Sequence, residues 1–256
     1  MRRKVDAAAD KRVAIVTGAG SGIGAAVARQ LAAGPHRMAL FDRDVEALGE
    51  VAAELRFIDI EVSTYAVDVA DENSVAEAIG NVRSELGPVQ IIVTSAGIQE
   101  HTPVTEITRT QWERIIAVNL TGTFACIQSV VPDMIAAGWG RIVTISSSSA
   151  QSGAANMAHY IASKGGVIAL TKALSAELAP KGITVNSIPP SIIDTPMARQ
   201  ATKAGWFPGL AAISAVTPVR RAGTPEDVAA ACEFLCSDRA GFITGQLIGV
   251  NGGLYI

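Results

Sequence analysis

Thr17-Gly-Ala-Gly-Ser-Gly-Ile-Gly24 lies between an apolar run, Val13–Val16, and a helical pattern that covers Ile23–Ala33. A buried strand that ends in glycines and continues as a helix is typical of the first turn of a nucleotide-binding βαβ unit. Glycines allow a close backbone approach to a pyrophosphate, and the free N–H groups at the helix start attract its charge. A flexible loop is the alternative, because a glycine-rich turn by itself is a modest signal. The glycine spacing also differs from the more common G-x-G-x-x-G. The residues expected to contact the dinucleotide are Gly18, Ser21, Gly22, Ile23 and Gly24.

The second apolar run ends at Phe41-Asp42-Arg43, about 20 residues beyond the glycines. A carboxylate at this position accepts hydrogen bonds from the adenosine ribose hydroxyls and repels a 2′-phosphate. Asp42 therefore favours NAD(H) as the cofactor. Arg43 could instead bind a 2′-phosphate, so NADP(H) stays as the less favoured alternative. Both residues are predicted to contact the cofactor.

Short β-branched runs alternate with longer helical patterns along the chain. The predicted strands are Val13–Thr17, Met38–Asp42, Ser63–Val67, Val89–Thr94, Gly140–Ser146, Thr184–Ile188 and Leu247–Val250. The predicted helices are Ile23–Ala33, Val45–Leu55, Val75–Leu86, Gln111–Ala137, His159–Ala179 and Pro225–Ser237. This alternation predicts an α/β fold of the Rossmann type, with a doubly wound parallel sheet in a three-layer α/β/α arrangement.

One catalytic domain is expected over residues 11–256, after a flexible tail at residues 1–10. Within the domain, residues 191–224 form the one long stretch without a clear pattern. Loops of this length in compact domains are often lids or binding loops. We therefore expect this stretch to cover a substrate site.

The 256 residues are 49% hydrophobic and 18% charged, with a formal net charge of −3. This charge gives no reason to expect nucleic acid or an anionic membrane as a partner. No signal peptide or bilayer-spanning segment is predicted, so a cytoplasmic location is expected. The three cysteines, Cys126, Cys232 and Cys236, have no His or acidic cluster beside them. Neither a disulfide framework nor a metal site is therefore expected.

Tyr160-Ile-Ala-Ser-Lys164 begins a long helical pattern, and residues four apart lie on the same helix face. A nearby ammonium favours the phenolate and lowers the tyrosine pKa from its usual value near 10. A tyrosine that exchanges a proton with an alcohol near neutral pH needs such help. Upstream, the predicted strand Gly140–Ser146 runs into consecutive serines, at the strand end where doubly wound sheets bind ligands. On this reasoning, any hydroxyl of Ser146–Ser149 can hold the substrate oxygen.

Taken in order, these motifs make the sequence resemble the classical short-chain dehydrogenase/reductase family over nearly the whole chain. The motifs that carry the resemblance are Thr17–Gly24, Asp68-Val69, Ala96-Gly97, Val118-Asn119, the serine strand, Tyr160-x3-Lys164, Pro190 with Thr195, and Gly252-Gly253. The resemblance implies a catalytic tetrad of Asn119, Ser147, Tyr160 and Lys164. Ser147 is selected from the run because the family's serine lies thirteen positions before its tyrosine.

The resemblance also implies a role for each member of the tetrad. Tyr160 exchanges the substrate hydroxyl proton while a hydride moves between the same carbon and nicotinamide. Ser147 hydrogen-bonds the substrate oxygen and stabilises developing charge. Lys164 contacts the nicotinamide ribose and lowers the pKa of Tyr160. Asn119 holds a water behind Lys164 in a proton relay.

Further cofactor contacts follow from the resemblance, with Asp68 and Val69 beside the adenine and Ile193 and Thr195 beside the carboxamide. The remaining positions expected to contact the cofactor are Ser95, Ala96, Gly97, Pro190, Tyr160 and Lys164. Three positions depart from the family pattern: Thr94-Ser95 replaces Asn-Asn, Ser191 replaces glycine, and Asn251 replaces aspartate. None of the three belongs to the tetrad.

Residues near the predicted lid and the serine strand are candidates for the substrate pocket. They are Gln99, Ser149, Gln151, Met157, Met197 and Trp206, with His101 and Phe207 as further candidates. Met, Trp and Phe side chains favour an apolar or ring-bearing substrate, although packing or subunit contacts explain them equally well. For His101, a solvated loop position is favoured.

The sequence is best interpreted as an NAD(H)-dependent oxidoreductase that interconverts a secondary alcohol and a ketone, with Tyr160 as general acid/base. One alternative is an NADPH-dependent 3-oxoacyl-[acyl-carrier-protein] reductase, which Asp42 disfavours. The other is a non-enzymatic NAD-binding sensor on the same fold, which the intact tetrad disfavours. The expected partners are a small-molecule alcohol or ketone and, by the family resemblance, three further copies of the chain in a homotetramer.

Overall fold

The structure, a computed structural model, describes residues 11–255, and the predicted tail at 1–10 lies outside them. The strands in this range are β1 (Arg12–Thr17), β2 (His36–Asp42), β3 (Val62–Ala66), β4 (Val89–Thr94), β5 (Gly140–Ile145) and β6 (Ile183–Ile188). They pair in parallel in the order β3-β2-β1-β4-β5-β6. β5 and β6 are buried along their whole length, as expected of strands that helices cover on both faces.

Helices pack on both faces of this sheet. They are α1 (Gly22–Ala32), α2 (Val45–Phe57), α3 (Glu72–Glu85), α4 (Arg109–Ile116), α5 (Gly122–Ala137), α6 (Ser149–Ser152), α7 (Ala158–Leu178), α8 (Pro196–Lys203), α9 (Leu210–Val216) and α10 (Pro225–Cys236). One apolar core lies between the sheet and α1, α2 and α10, and a second lies under α3 and α5. Alternate residues of β1 divide between them: Ala14 and Val16 face the first core, and Val13 and Ile15 the second. The predicted doubly wound, three-layer fold is confirmed.

The seventh predicted strand, Leu247–Val250, forms only isolated bridges to β6 and the residues after it. The parallel pattern begins normally: the Ser187 N–H donates to the Gln246 carbonyl, and the Ile248 N–H donates to the Ser187 carbonyl. The next donor in the ladder is residue 189, which is a proline and has no N–H. This strand prediction is therefore wrong, because Pro189 interrupts the pairing.

The pattern Gln111–Ala137 forms one continuous helix from Arg109 to Ala137, with a π-helical turn, Ala117–Thr121, joining α4 to α5. Among the described residues, this helix is the one long and apolar enough to cross a membrane, which differs from the sequence-based expectation. Its apolar part, α5, contributes Ile127, Val130 and Met134 to the core beside α3. The structure therefore uses this apolar surface for packing against the sheet.

The predicted lid, residues 191–224, contains two short helices rather than irregular chain alone. Thr195 starts α8 by accepting a hydrogen bond at Oγ1 from the Ala198 N–H, and Pro196 occupies the first helical turn. Gly209, at φ +91°, precedes α9. Both helices have fewer than nine residues, too few for a clear apolar period in the sequence.

Candidate active site

The carboxyl ends of the strands open into a cleft of about 930 Å³. β1 and β4 are neighbours there although they are not consecutive, and such a switch point is where doubly wound sheets bind ligands. All the residues predicted to contact the cofactor line this cleft, as do Ser147, Tyr160 and Lys164. Asn119 is fully buried behind its wall. The fold thus brings together positions that are far apart in the sequence, from Gly18 to Thr195.

The glycine turn leaves the start of α1 free to bind an anion. Gly18 has φ +68°, and a Cβ on Gly24 would lie 2.0 Å from the Gly18 carbonyl oxygen, so neither position accepts a side chain without strain. Ser21 precedes α1 without capping it, and the first turn has no acidic residue. By contrast, the side chain of Asp44 caps α2. Unpaired N–H groups of this kind fit a pyrophosphate.

Asp42 lies at the end of β2 and is held by the glycine turn. Its carboxylate accepts hydrogen bonds from the Gly20 N–H at 2.9 Å and from the Asp44 N–H at 3.0 Å. These contacts fix a carboxylate at the edge of the cleft, where the sequence predicts the adenosine ribose. Arg43 also lines the cleft, but its side chain is exposed.

The departure at Thr94-Ser95 leaves the wall of the cleft intact. Thr17 Oγ1, at the end of β1, accepts hydrogen bonds at 3.1 Å from the backbone N–H groups of both Ser95 and Ala96. The backbone at Ser95 and Ala96 is thus fixed by a side chain of β1. A Cβ on Gly18 would also lie 2.9 Å from Ala96, so the two strand ends approach closely.

Asn119 lies in the π-helical turn and joins three segments. Its Oδ1 accepts from the Ile98 N–H at 2.8 Å, and its Nδ2 donates to the Ile98 carbonyl at 2.9 Å and to Ser163 Oγ at 3.0 Å. A Cβ on Gly97 would lie 3.3 Å from both Asn119 Oδ1 and Lys164 Nζ. Asn119 and Lys164 therefore flank the same glycine, although Asn119 bonds the backbone of Ile98 rather than the lysine.

Tyr160 and Lys164 lie one turn apart on α7, and both are buried. Lys164 Nζ is 5.9 Å from the centre of the Tyr160 ring and donates to the Ile145 carbonyl at 2.9 Å. Burial lowers the pKa of Lys164 to about 8. Burial also raises the pKa of Tyr160, and a hydrogen bond from Ser147 opposes that rise. The resemblance implied a lowered pKa for Tyr160. The pKa is instead raised, because the effect of burial is larger than that of Ser147.

The side chains of the four consecutive serines, Ser146–Ser149, have different surroundings. Ser146 is buried, and its Oγ donates to the Ile188 carbonyl and accepts from Ser187 Oγ at 2.8 Å. Ser148 is also buried, and its backbone N–H donates to the Pro190 carbonyl. Ser147 is half-buried in the cleft, with its Oγ 2.7 Å from Ser149 Oγ, and it lies near enough to Tyr160 to oppose the rise in that tyrosine's pKa. The geometry therefore favours Ser147, the residue that the resemblance selected.

The substrate candidates divide into those inside and outside the cleft. The residues that line it are Gln99, Ser149, Met157, Met197, Trp206, Phe207 and His101. Gln151 is exposed and lines a separate cavity of about 510 Å³, because two residues along α6 from Ser149 its side chain faces the other way. His101 is stacked on Trp206 rather than solvated in a loop, contrary to the favoured prediction.

Sequence reasoning missed several residues that complete the substrate part of the cleft. They are Ile98, Gly153, Ala154, Ala155, Asn156, Ile192, Ile213, Val216, Leu254 and Tyr255. These residues come from separate loops, from α9 and from the C-terminal segment. The one available signal concerned residues 153–156: Tyr160 lies near the start of α7, so the residues just before that helix had to lie close to the same cleft.

Comparisons with known proteins identify relatives of this chain. The family described as enoyl-(acyl carrier protein) reductase matches residues 18–255. An acetoacetyl-CoA reductase of Rhizobium meliloti is 40% identical, over 95% of this chain and 98% of its own length. A cis-4-hydroxycyclohexanecarboxylate dehydrogenase of Sinomonas cyclohexanicum is 39% identical, over 95% of this chain and 96% of its own.

Among solved structures, a variant of actinorhodin polyketide ketoreductase with NADPH superposes with a TM-score of 0.92 and 35% identity, over 96% of this chain and 97% of that one. The relatives are thus dehydrogenases and reductases that match this chain over nearly their whole length. The chain therefore belongs to the short-chain dehydrogenase/reductase family and is an oxidoreductase of alcohol and ketone groups that uses a nicotinamide cofactor.

Proposed function

We propose that this protein is an NAD(H)-dependent oxidoreductase that interconverts a secondary alcohol and a ketone, with Tyr160 as the general acid/base. The observation that carries the proposal is the meeting of Tyr160, Ser147 and Lys164 in one cleft at the carboxyl ends of the strands. When bound, the nicotinamide accepts or donates the hydride. The residues of the chain supply the proton and orient the substrate oxygen.

In ketone reduction, Tyr160 would donate its phenolic proton to the substrate oxygen. Burial raises the pKa of Tyr160, so its Oη keeps that proton at neutral pH. Ser147 would hydrogen-bond the same oxygen, since its hydroxyl lies in the cleft and interacts with the tyrosine. The Lys164 ammonium would stabilise the phenolate that remains, and in alcohol oxidation the same groups act in reverse.

We propose NAD(H) as the preferred cofactor on the position of Asp42. Its carboxylate is fixed by two backbone N–H groups at the edge of the cleft, so a 2′-phosphate there would meet a negative charge. Asp44 and Asp68 line the same part of the cleft and add to this repulsion. Arg43 is the opposing feature, and the ketoreductase solved with NADPH shows that NADPH fits a cleft of this fold.

An NADPH-dependent 3-oxoacyl reductase is the second candidate function. The similarity to an acetoacetyl-CoA reductase favours it. The acidic edge of the cleft opposes it, as does the pairing of Arg221 near the end of the lid with Asp227. An arginine that is already paired is less available to bind the phosphate of a carrier.

The test is a fluorescence titration of the purified protein with NADH and NADPH in parallel, followed by assays with secondary alcohols and ketones. Tighter NADH binding and turnover that depends on Tyr160 support the proposal. Tighter NADPH binding, with preferred reduction of 3-oxoacyl thioesters, would favour the second function. Binding without any turnover of alcohols or ketones would favour a sensor.

We further propose a homotetramer in the cytoplasm. Trp112 and Phe124, each 40% exposed, lie on the continuous helix Arg109–Ala137 and supply apolar surface for an interface. The three cysteines are buried and unpaired, which suits a reducing compartment. Light scattering coupled to size-exclusion chromatography tests the first proposal, and cell fractionation tests the second.

A further inference from the structure

The cleft has two ends that differ in charge. At the glycine end, defined by the glycine turn and the ends of β2 and β3, the lining includes Asp42, Arg43, Asp44 and Asp68. The lid end is lined by large apolar and aromatic side chains and by the small or uncharged residues at 153–156. The large side chains are Met157, Met197, Trp206, Phe207, Ile213, Val216 and His101. Among the described residues, this lid end contains no acidic side chain, lysine or arginine. Lys164, at the centre, donates to the Ile145 carbonyl.

The aromatic stack at the lid end joins two separate segments. The rings of His101, after β4, and Trp206, after α8, have centroids 4.8 Å apart and planes 16° from parallel. The segment of His101 is held by a hydrogen bond from the Thr102 N–H to the Asn156 carbonyl at 2.7 Å. The Trp206 N–H donates to the Ala201 carbonyl in α8 at 3.0 Å. The stack therefore fixes the lid against the chain that follows β4.

His101 stays uncharged near neutral pH. Burial lowers its pKa, and so does the nearby His159, which is itself fully buried with neither ring nitrogen hydrogen-bonded. The acidic neighbour, Glu100, is occupied by a hydrogen bond from Gln111 Nε2 at 3.1 Å. The imidazole of His101 therefore adds no positive charge to the lid end.

Arginines elsewhere in the lid are already engaged. Arg199, on α8, pairs with Asp194 at 2.7 Å, and Arg221 pairs with Asp227. Arg220 donates to the Ala215 carbonyl at 2.6 Å. A carboxylate or phosphate enclosed at the lid end would lose its hydration without gaining a counter-charge, which is unfavourable. An uncharged apolar group has no such cost and gains contact with the Met, Trp and Phe side chains.

We infer that the lid end accepts an uncharged, predominantly apolar alcohol or ketone, and that His101, stacked on Trp206, is the residue that determines this selectivity. The inference rests on the proposed function and specifies its substrate class. It separates this chain from relatives whose named substrates carry a carboxylate or coenzyme A.

Two probes of nearly equal shape test the inference: cis-4-methylcyclohexanol, which is uncharged, and cis-4-hydroxycyclohexanecarboxylate, which is anionic. We expect the wild-type protein with its preferred cofactor to oxidise the methyl compound with a kcat/KM about 100-fold higher. His101→Lys places an ammonium beside Trp206 and so supplies the missing counter-charge, and the preference should fall about tenfold or more. His101→Phe keeps the stack and should keep the preference.

Thr105→Lys is the matched control, because it adds the same charge on an exposed residue of the same segment, outside the cleft. Equal changes in selectivity for the two lysine variants would overturn the role of His101. Equal or preferred use of the carboxylate by the wild-type protein would overturn the substrate class.

A binding measurement separates this inference from the proposed function. Ligand-induced changes in fluorescence are compared between the wild-type protein and Trp206→Phe, which isolates the signal of Trp206 from those of Trp112 and Trp139. If neither NADH nor NADPH binds, the proposed function fails. If the cofactor binds but no uncharged probe alters the Trp206 signal or is turned over, the inference about the lid end fails while the cofactor site stands.

Discussion

The glycine end and the lid end of the cleft are built differently. At the glycine end, contacts involve the backbone of the glycine turn: the Gly20 N–H donates to the Asp42 carboxylate, and Gly18 lies against the backbone of Ala96. At the lid end, side chains from distant loops make the wall, as in the stack of His101 on Trp206. Backbone contacts tolerate few substitutions, whereas a wall of side chains can change without disturbing the sheet. The cofactor site is thus fixed by the fold, and the substrate site is set by individual side chains.

The largest expected effect is at Tyr160, between the two ends. Tyr160→Phe removes the exchangeable proton but keeps the buried ring, so turnover should fall by about 1,000-fold while cofactor affinity stays unchanged. Steady-state kinetics and cofactor titration measure the two quantities. Tyr65→Phe, which removes a hydroxyl bonded to Glu85 outside the cleft, is the matched control. Wild-type turnover by Tyr160→Phe would refute the proton-transfer role.

At the glycine end, Gly24→Ala should destabilise the protein by about 2–3 kcal/mol, because its Cβ would lie 2.0 Å from the Gly18 carbonyl oxygen. Cofactor affinity should fall with it as the turn shifts. Gly49→Ala, in α2 with nothing within 4 Å of the new Cβ, should instead stabilise by about 0.5–1 kcal/mol. Urea unfolding of both variants measures the difference. Equal stabilities would show that the turn relaxes freely.

The same contrast explains what the sequence could predict. Six strands, the glycine turn and the Tyr160–Lys164 pair follow from local spacing, because strands, turns and helix faces have short periods. The seventh strand failed at Pro189, whose missing N–H matters only once its partner is known. Local reasoning left all four serines open, and only the family resemblance indicated Ser147. The physical reason is the direction of each side chain at the end of β5.

The lid end was less predictable for the same reason. Gln151 and Ser149 are two residues apart and looked equivalent, yet α6 directs only Ser149 into the cleft. The stack of His101 on Trp206 joins residues more than 100 positions apart, and no local sequence pattern predicts such a contact. Two short helices in the lid were also hidden, since neither is long enough to show a period.

The proton-transfer centre should respond to pH in a defined direction. Burial lowers the pKa of Lys164 to about 8, so its ammonium is present below pH 8 and lost above it. Ketone reduction should therefore decline as pH rises through 8, by about tenfold at pH 9, since the phenolate loses its stabilising charge. Lys164→Arg keeps its charge over this range and should move the decline to higher pH. A wild-type profile that is flat from pH 7 to 10 would contradict this assignment.

Cofactor choice should respond more strongly to Asp42 than to the other acidic residues of the cleft. Asp42→Asn keeps an acceptor for the Gly20 N–H but removes the charge, so affinity for NADPH relative to NADH should rise about tenfold. Asp44→Asn is the control, because asparagine also caps a helix and the same charge is removed nearby. The KM for the alcohol should stay constant in both variants. A similar shift in the two would assign the preference to net charge rather than to Asp42.

The smallest effect is expected from Trp206→Ala at the lid end. The variant loses the stack on His101 and part of the apolar wall, which should raise the KM for an uncharged alcohol about fivefold. Cofactor affinity and stability should change little, because Trp206 is 39% exposed and lies in neither core. Trp206→Phe keeps an aromatic partner and should retain most of the wild-type KM. A double variant of Trp206→Ala and Asp42→Asn tests whether the two ends act independently. The effects on KM and on cofactor affinity should add in the double variant. Strong non-additivity would mean that the lid end and the cofactor site are energetically coupled.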